Sequence, residues 1–214
     1  MDKKMKQNVI AGSIIGALVL GGAGTYFYTN SSSIGGSSTS VPSKKIAENK
    51  ELKGTMVTNL GTISMTMDGK KAPQGVSVFK DLADKKFFNG TKCHRLVTES
   101  IYILQCGDPN GDGTGGPSFE WGPVENAPAN NQYKAGDIAV ARHANDANSQ
   151  GSQFFIVYKD SKIPADSAGG YSVIGKVTSG LDLIQKAAKQ GTKDGSNDGT
   201  PKQEVKIDNF QLTQ

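Results

Sequence analysis

The sequence predicts a mainly β domain capped by two helices, preceded by one apolar N-terminal helix and a flexible linker. Three observations carry that expectation. Several short runs alternate apolar and polar residues with period two, as strands with one buried face do. The 27 glycines fall mostly in the linker or between those runs, where turns belong. Only two segments of the folded region show helical spacing. Many short strands with two helices suit a closed barrel capped at its ends, and on spacing alone they suit a sandwich equally.

Residues 1–7 form a short basic segment carrying Lys3, Lys4 and Lys6. The next, residues 8–28, includes an uncharged run from Val9 to Tyr28. As a helix, a run of about 20 residues spans about 30 Å, the hydrocarbon thickness of a bilayer. It is read as a transmembrane signal-anchor. The basic flank keeps the N-terminus in the cytoplasm and sends the rest outside, with Tyr26, Phe27 and Tyr28 at the outer interface. The alternative is a cleaved secretory signal, although no small-x-small site precedes the linker. No cysteine follows the run to direct lipoprotein processing. Gly12 and Gly16 form a GxxxG spacing that reflects composition rather than a dimer face. Residues 29–53, with Ser31 to Ser33, Gly35, Gly36 and Ser37 to Ser40, cannot build a core and read as a tether.

The folded domain is expected over residues 54–214. Gly54 to Thr58 and the alternating Ile63, Met65 and Met67 read as a hairpin around Asn59 and Leu60. After Pro73, the residues Val76, Phe79, Leu82 and Ala83 recur at helical spacing. Strands follow around Cys93 to Val97, Ile101 to Gln105, Asp137 to Ala141, Phe154 to Tyr158 and Tyr171 to Val177. A second helix fits Leu181 to Lys189, with Leu181, Ile184 and Ala188 on one face. Val205 to Leu212 returns as the eighth strand, closing the sheet. The net charge of +4 is too small to argue for nucleic acid.

The chemistry-bearing residues lie in Cys93-His94-Arg95, Gln105-Cys106-Gly107-Asp108 and Gly151-Ser152-Gln153-Phe154-Phe155-Ile156. Together they offer a guanidinium, two carboxamides and a phenyl ring without nucleophile machinery. In these motifs residues 54–214 resemble the cyclophilin-type peptidyl-prolyl isomerases, in a bacterial, actinobacterial-like, membrane-anchored branch. The resemblance implies a closed eight-stranded antiparallel barrel capped by two helices. It also implies catalysis of X-Pro rotation, whose barrier of about 18–20 kcal/mol comes from amide resonance. Arg95 then takes the catalytic arginine's place, since a fixed donor stabilises the lone pair that twisting localises on the prolyl nitrogen. Gln105 takes that of the glutamine that bonds the substrate backbone, and Phe155 that of the proline-pocket floor. Ile103 stands where methionine is usual and Tyr102 near the usual phenylalanine, while Ala141 and Gln153 line the adjoining groove and Gly113 forms its edge.

The chain departs from that pattern in places. Arg95 and Gln105 stand 10 positions apart, so the turn Val97-Thr98-Glu99-Ser100 is longer than usual, and the Tyr102 assignment depends on its register. The loop Arg142 to Gln150 is also longer, and Arg142 is assigned backbone contacts to a peptide. Ile163 replaces the family's frequent tryptophan and Tyr171 its pocket histidine. Both keep an apolar wall, and loss of the indole donor implies weakened cyclosporin binding.

His94 and His143 lack the close companions a zinc site needs, and isomerisation needs no proton transfer. His94 is read as a structural histidine beside the barrel. Asp108, Asn110 and Asp112 match the first half of an EF-hand loop, as do Asp194, Ser196 and Asp198. The twelfth positions, Phe119 and Val205, cannot supply the bidentate carboxylate, so both stretches are read as turns. Cys93 and Cys106 are the only cysteines, and a disulfide and two buried thiols both fit neighbouring strands. No metal or cofactor is implied. The expected function is isomerisation of X-Pro bonds in secreted or cell-surface polypeptides, assisting their folding. The alternative is a noncatalytic proline-peptide-binding or chaperone module, and an adhesin or host-factor binder on the same fold is a further possibility.

Overall fold

A computed structural model of the chain describes residues 40–214, so the apolar run Val9 to Tyr28 and most of the linker lie outside the described residues. The packed chain begins by Pro42 rather than at Gly54. A 3-10 turn, Lys44–Ile46, docks on the first helix, where the Ser77 hydroxyl donates to Lys44 O at 2.7 Å and accepts from Ala47 N at 3.0 Å. Ala47 is fully buried there, so the end of the expected tether belongs to the domain.

Strands β1 (Glu51–Thr58) and β2 (Gly61–Asp68) form the expected hairpin in continuous register from Glu51↔Asp68 to Thr58↔Gly61. Helix α1 (Pro73–Asp84) starts with proline in its first turn, where a missing N–H costs nothing. Its Ala72 cap has no side-chain acceptor, and the Glu125 carboxylate takes the N–H groups of Gln74 and Gly75 at 3.1 and 2.9 Å instead. The remaining elements are β3 (Arg95–Val97), β4 (Ile103–Cys106), β5 (Gln132–Tyr133), β6 (Asp137–Val140), β7 (Phe154–Val157) and β8 (Ser161–Lys162). They are followed by β9 (Val173–Ser179), α2 (Leu181–Ala188), β10 (Asp198–Gly199) and β11 (Ile207–Thr213).

Nine strands form one sheet in the order β10-β3-β4-β7-β6-β9-β2-β1-β11, and β5 pairs with β8 as a separate ribbon. The expected closed eight-stranded barrel is corrected to a curled, open half-barrel. The outer edge of β3 is occupied by β10, through Asp198↔Val97 and Gly199↔Leu96, so β11 has no ladder to join there. The start of β11 and the chain before it bond instead to the chain leading into β3: Gly90 N donates to Ile207 O at 2.7 Å, Cys93 N to Val205 O at 2.9 Å, and Ile207 N to Thr91 O at 2.9 Å.

Successive strand residues face opposite sides, and here both sides are covered. Leu96, Leu104, Cys106, Phe154, Ile156, Ile138 and Val140 point into the main core with α1. That core is aromatic at its centre, Phe88 lying 5.4 Å from Phe79 and 4.8 Å from Phe210. Val97, Ile103, Phe155, Val157 and Ala139 point the other way, into a smaller core roofed by Tyr133, Ile163 and Tyr171. Cys93 and Cys106 are joined in a disulfide buried in the main core, which settles the alternatives the sequence leaves open.

Candidate active site

Register builds the site. Arg95 on β3 stands opposite Gln105 on β4, Gln105 opposite Phe155 on β7, and Phe155 opposite Ala139 on β6. Directly opposed side chains share a face, so one row crosses four strands and brings together residues 60 positions apart, Arg95 and Phe155 among them. A second row, Val97, Ile103 and Val157, lies beside it.

The polar end of the row is a directed chain of hydrogen bonds. Arg95 Nη1 donates to Gln105 Oε1 at 3.4 Å, and Gln105 Nε2 donates to Gln153 Oε1 at 2.9 Å. Gln153 Nε2 donates to the carbonyls of Gly113 and Gly115, both at 2.9 Å. Gln105 is thus engaged at both ends of its amide, keeping one N–H and one lone pair for anything else. The rim that receives the chain is organised by Asp108, fully buried, whose carboxylate accepts from the N–H groups of Asn110 at 2.8 Å, Asp112 at 3.0 Å and Gly113. That carboxylate shapes a turn. Among the described residues no group of three His, Cys, Asp or Glu side chains is disposed to hold a metal.

Arg95 has a partner that the sequence reading missed. Its Nε and Nη2 donate to the two carboxylate oxygens of Asp198 at 2.7 and 2.6 Å. Asp198 sits 103 residues away, inside a stretch that by itself signals only a turn, and nothing local in the sequence points to it.

The apolar assignments divide. Ile103, Phe155, Ile163 and Tyr171 do cluster, and Ala141 packs at the margin, its N–H donating to Gln153 O at 2.9 Å. Tyr102 does not join them. Its ring packs 5.9 Å from Tyr158 with the Lys159 ammonium 4.1 Å from its centroid, on the opposite face from Gln105. The residue of matching parity is Ile101, which packs in the Phe155 cluster. Phe155 is also covered rather than open: it is 0% exposed, with the Tyr171 ring edge-on at 5.5 Å and Tyr133 at 6.4 Å.

Arg142 lies under the loop that follows Ile163, and its guanidinium is saturated. Nε donates to Gly170 O at 3.0 Å, Nη1 to His143 O at 2.9 Å and Asp166 Oδ2 at 3.0 Å, and Nη2 to Asp166 Oδ1 at 2.8 Å and Gly169 O at 2.6 Å. Those bonds use all five of its N–H donors. Its side chain therefore holds the loop, and hydrogen bonds from Arg142 hold the Asp166 carboxyl down to about 2. His94 packs beneath the rim, both ring nitrogens buried and unpartnered, and burial pushes its pKa below 6.5. A Cβ added at Gly113 would lie 3.7 Å from that ring.

The family model for "Cyclophilin type peptidyl-prolyl cis-trans isomerase/CLD" matches residues 54–212. A probable peptidyl-prolyl cis-trans isomerase B of Mycobacterium leprae is 38% identical over 173 residues, covering 75% of this chain and 57% of the relative. A Helicobacter pylori peptidyl-prolyl cis-trans isomerase is 39% identical over 144 residues, covering 66% of this chain and 83% of the relative. A Cryptosporidium parvum cyclophilin, solved in the presence of the dipeptide Ala-Pro, superposes with a TM-score of 0.63 at 22% identity, covering 76% of this chain and 99% of that one. The chain belongs to the cyclophilin-type peptidyl-prolyl cis-trans isomerase family. It spans little more than half the length of its mycobacterial relatives, 57% and 52% for two of them.

Proposed function

We propose that this chain is a peptidyl-prolyl cis-trans isomerase acting on X-Pro bonds of polypeptides. The observation that carries the reading is the row Arg95, Gln105, Phe155, which puts a charged donor and an aromatic ring on one sheet face with an amide between them. Twisting an X-Pro amide removes its resonance and leaves a basic lone pair on nitrogen. A guanidinium N–H held at that position stabilises the twisted state more than either planar state, which is the condition for lowering the barrier. The chemistry needs no proton transfer and no covalent intermediate, in keeping with a buried, unpartnered His94.

The basic flank of residues 1–7 and the uncharged run within residues 8–28 support a position on the outer face of a bacterial membrane, with chains emerging from secretion as the clients whose folding it assists. Uncatalysed isomerisation takes tens of seconds, slow enough to limit their folding. Cyclosporin binding is weakened, because Ile163 offers no indole donor and is itself 1% exposed.

A second reading is a noncatalytic proline-peptide binder; in either reading Phe155, Ile103 and Ile163 are covered, so a prolyl ring must displace a roofing side chain to reach them. NMR exchange on a short X-Pro peptide separates the two. Acceleration by the full chain that Arg95→Ala removes establishes the isomerase; line broadening from binding without faster exchange establishes the binder.

A further inference from the structure

Within the isomerase reading, on which this rests, Arg95 must present donors to a prolyl nitrogen with its long side chain held still. Nε and one Nη2 N–H are taken by Asp198 and one Nη1 N–H by Gln105. Of five donors this leaves two, one on each terminal nitrogen. Asp198 binds the Nε/Nη2 edge and so directs the Nη1/Nη2 edge elsewhere. The pair is partly sheltered, the side chains being 20% and 34% exposed.

Asp198 is itself held by the turn between β3 and β4. Thr98 N donates to Asn197 O at 2.9 Å, and the Asn197 amide donates to the Glu99 carboxylate. Behind it, Ser196 N donates to Asp194 Oδ1 at 3.1 Å and the Thr192 hydroxyl to Ser196 O at 2.6 Å. The loop is thus fixed from both sides, and β10 carries Asp198 to the edge of the strand that bears Arg95.

We propose that Asp198 is the positioning residue for Arg95: it locks the guanidinium by one edge so that the other faces the substrate, and the Thr98–Glu99 turn serves to carry it. Two effects oppose each other. The carboxylate damps the positive charge of Arg95, which by itself would slow the reaction. It also removes the rotamer freedom of an arginine, and orientation losses of this kind cost on the order of tenfold to a hundredfold in rate. Arg95 keeps two donors free on the edge that faces away from Asp198, so orientation wins.

The test measures kcat and KM of the full chain by NMR exchange for the wild type, Asp198→Ala, Asp198→Asn, Arg95→Ala and the double variant, with thermal unfolding alongside. Asp198→Ala is expected to lower kcat on the order of tenfold to a hundredfold, with KM changed less than about threefold. Asp198→Asn, which keeps one acceptor oxygen, restores part of the loss. Adding Asp198→Ala to Arg95→Ala costs nothing more, because the residue acts only through the guanidinium. The Arg95 Nε–H resonance, protected from exchange in the wild type, broadens in Asp198→Ala. Unchanged or raised kcat in Asp198→Ala overturns the proposal, as does a loss that persists in the Arg95→Ala background. An inactive wild type whose Nε–H signal is still protected sinks the isomerase reading and takes this inference with it.

Discussion

Two arginines were assigned to the groove, and each is paired to an aspartate through two oxygens, yet they have opposite uses. Arg142 is 1% exposed at its side chain, spends every donor on Asp166 and three carbonyls, and stacks 4.8 Å from the Tyr171 ring. Arg95 is 20% exposed, spends three donors, and keeps two at the end of the polar row. An ion pair therefore says little about role until the remaining hydrogens are counted. A saturated guanidinium is a scaffold, and an unsaturated one is a reagent.

Arg142→Ala strips Asp166 and three carbonyls of their donor, and is expected to cost about 3 kcal/mol, the lower end of the range for splitting a buried pair because Asp166 is 25% exposed. A urea midpoint at the wild-type value would remove Arg142 from the scaffold. Arg95→Ala should do the reverse, lowering kcat/KM by on the order of a hundredfold to a thousandfold while leaving the urea midpoint nearly in place. Loss of stability instead of turnover would merge the two arginines into one class.

The disulfide restrains the site's edge, because Cys93 lies two residues before the strand that carries Arg95 and Cys106 ends the strand that carries Gln105. Reduction should cost about 3 kcal/mol, the figure for closing a loop of about 15 residues, seen as a lower melting temperature in dithiothreitol. Equal melting temperatures would place the restraint elsewhere.

Acid should act on the Arg142 scaffold. With its folded-state pKa depressed to about 2 by Arg142, Asp166 contributes stability that is full above its unfolded value near 3.8 and lost as pH falls through about 2. Arg142→Ala should erase that acid leg. The smallest effect comes from His94. Its folded-state pKa lies below 6.5, so its contribution is full above 6.5 and declines as pH falls from there toward the folded value. Comparing unfolding at pH 7.5 and 5.5 for wild type and His94→Phe isolates it, and a pH-independent wild type would contradict a neutral buried ring.

Eight strands and both helices were legible, β1 and β2 by alternation and the helices by their helical spacing. The two-residue strands β5, β8 and β10 show no period, and one of them, β10, decides that the sheet stays open. The turn before Ile103 illustrates a different limit. A shift of one residue moves a strand's side chains to the other face, so placing Tyr102 rather than Ile101 beside Ile103 put the aromatic ring on the wrong side. Arg95, Gln105, Gln153 and Phe155 were legible because three short motifs hold them. Asp198 was not, since only β10 pairing with β3 brings it near, and no local pattern encodes a contact across 103 residues.

The glutamine chain has a sign. From Arg95 to the carbonyls of Gly113 and Gly115 every link donates in one direction, and each amide has its oxygen upstream and its nitrogen downstream. An amide turned end for end does not weaken one link; it sets oxygen against oxygen on one side and nitrogen against nitrogen on the other. Gln105→Glu, identical in shape, would force that reversal. The glutamate satisfies Arg95, Gln153 must turn its nitrogen upstream, and its oxygen then faces two carbonyl oxygens at the rim. The site thus behaves less like a spring than like a message with parity, in which one changed atom at the guanidinium is read out at the far edge of the groove.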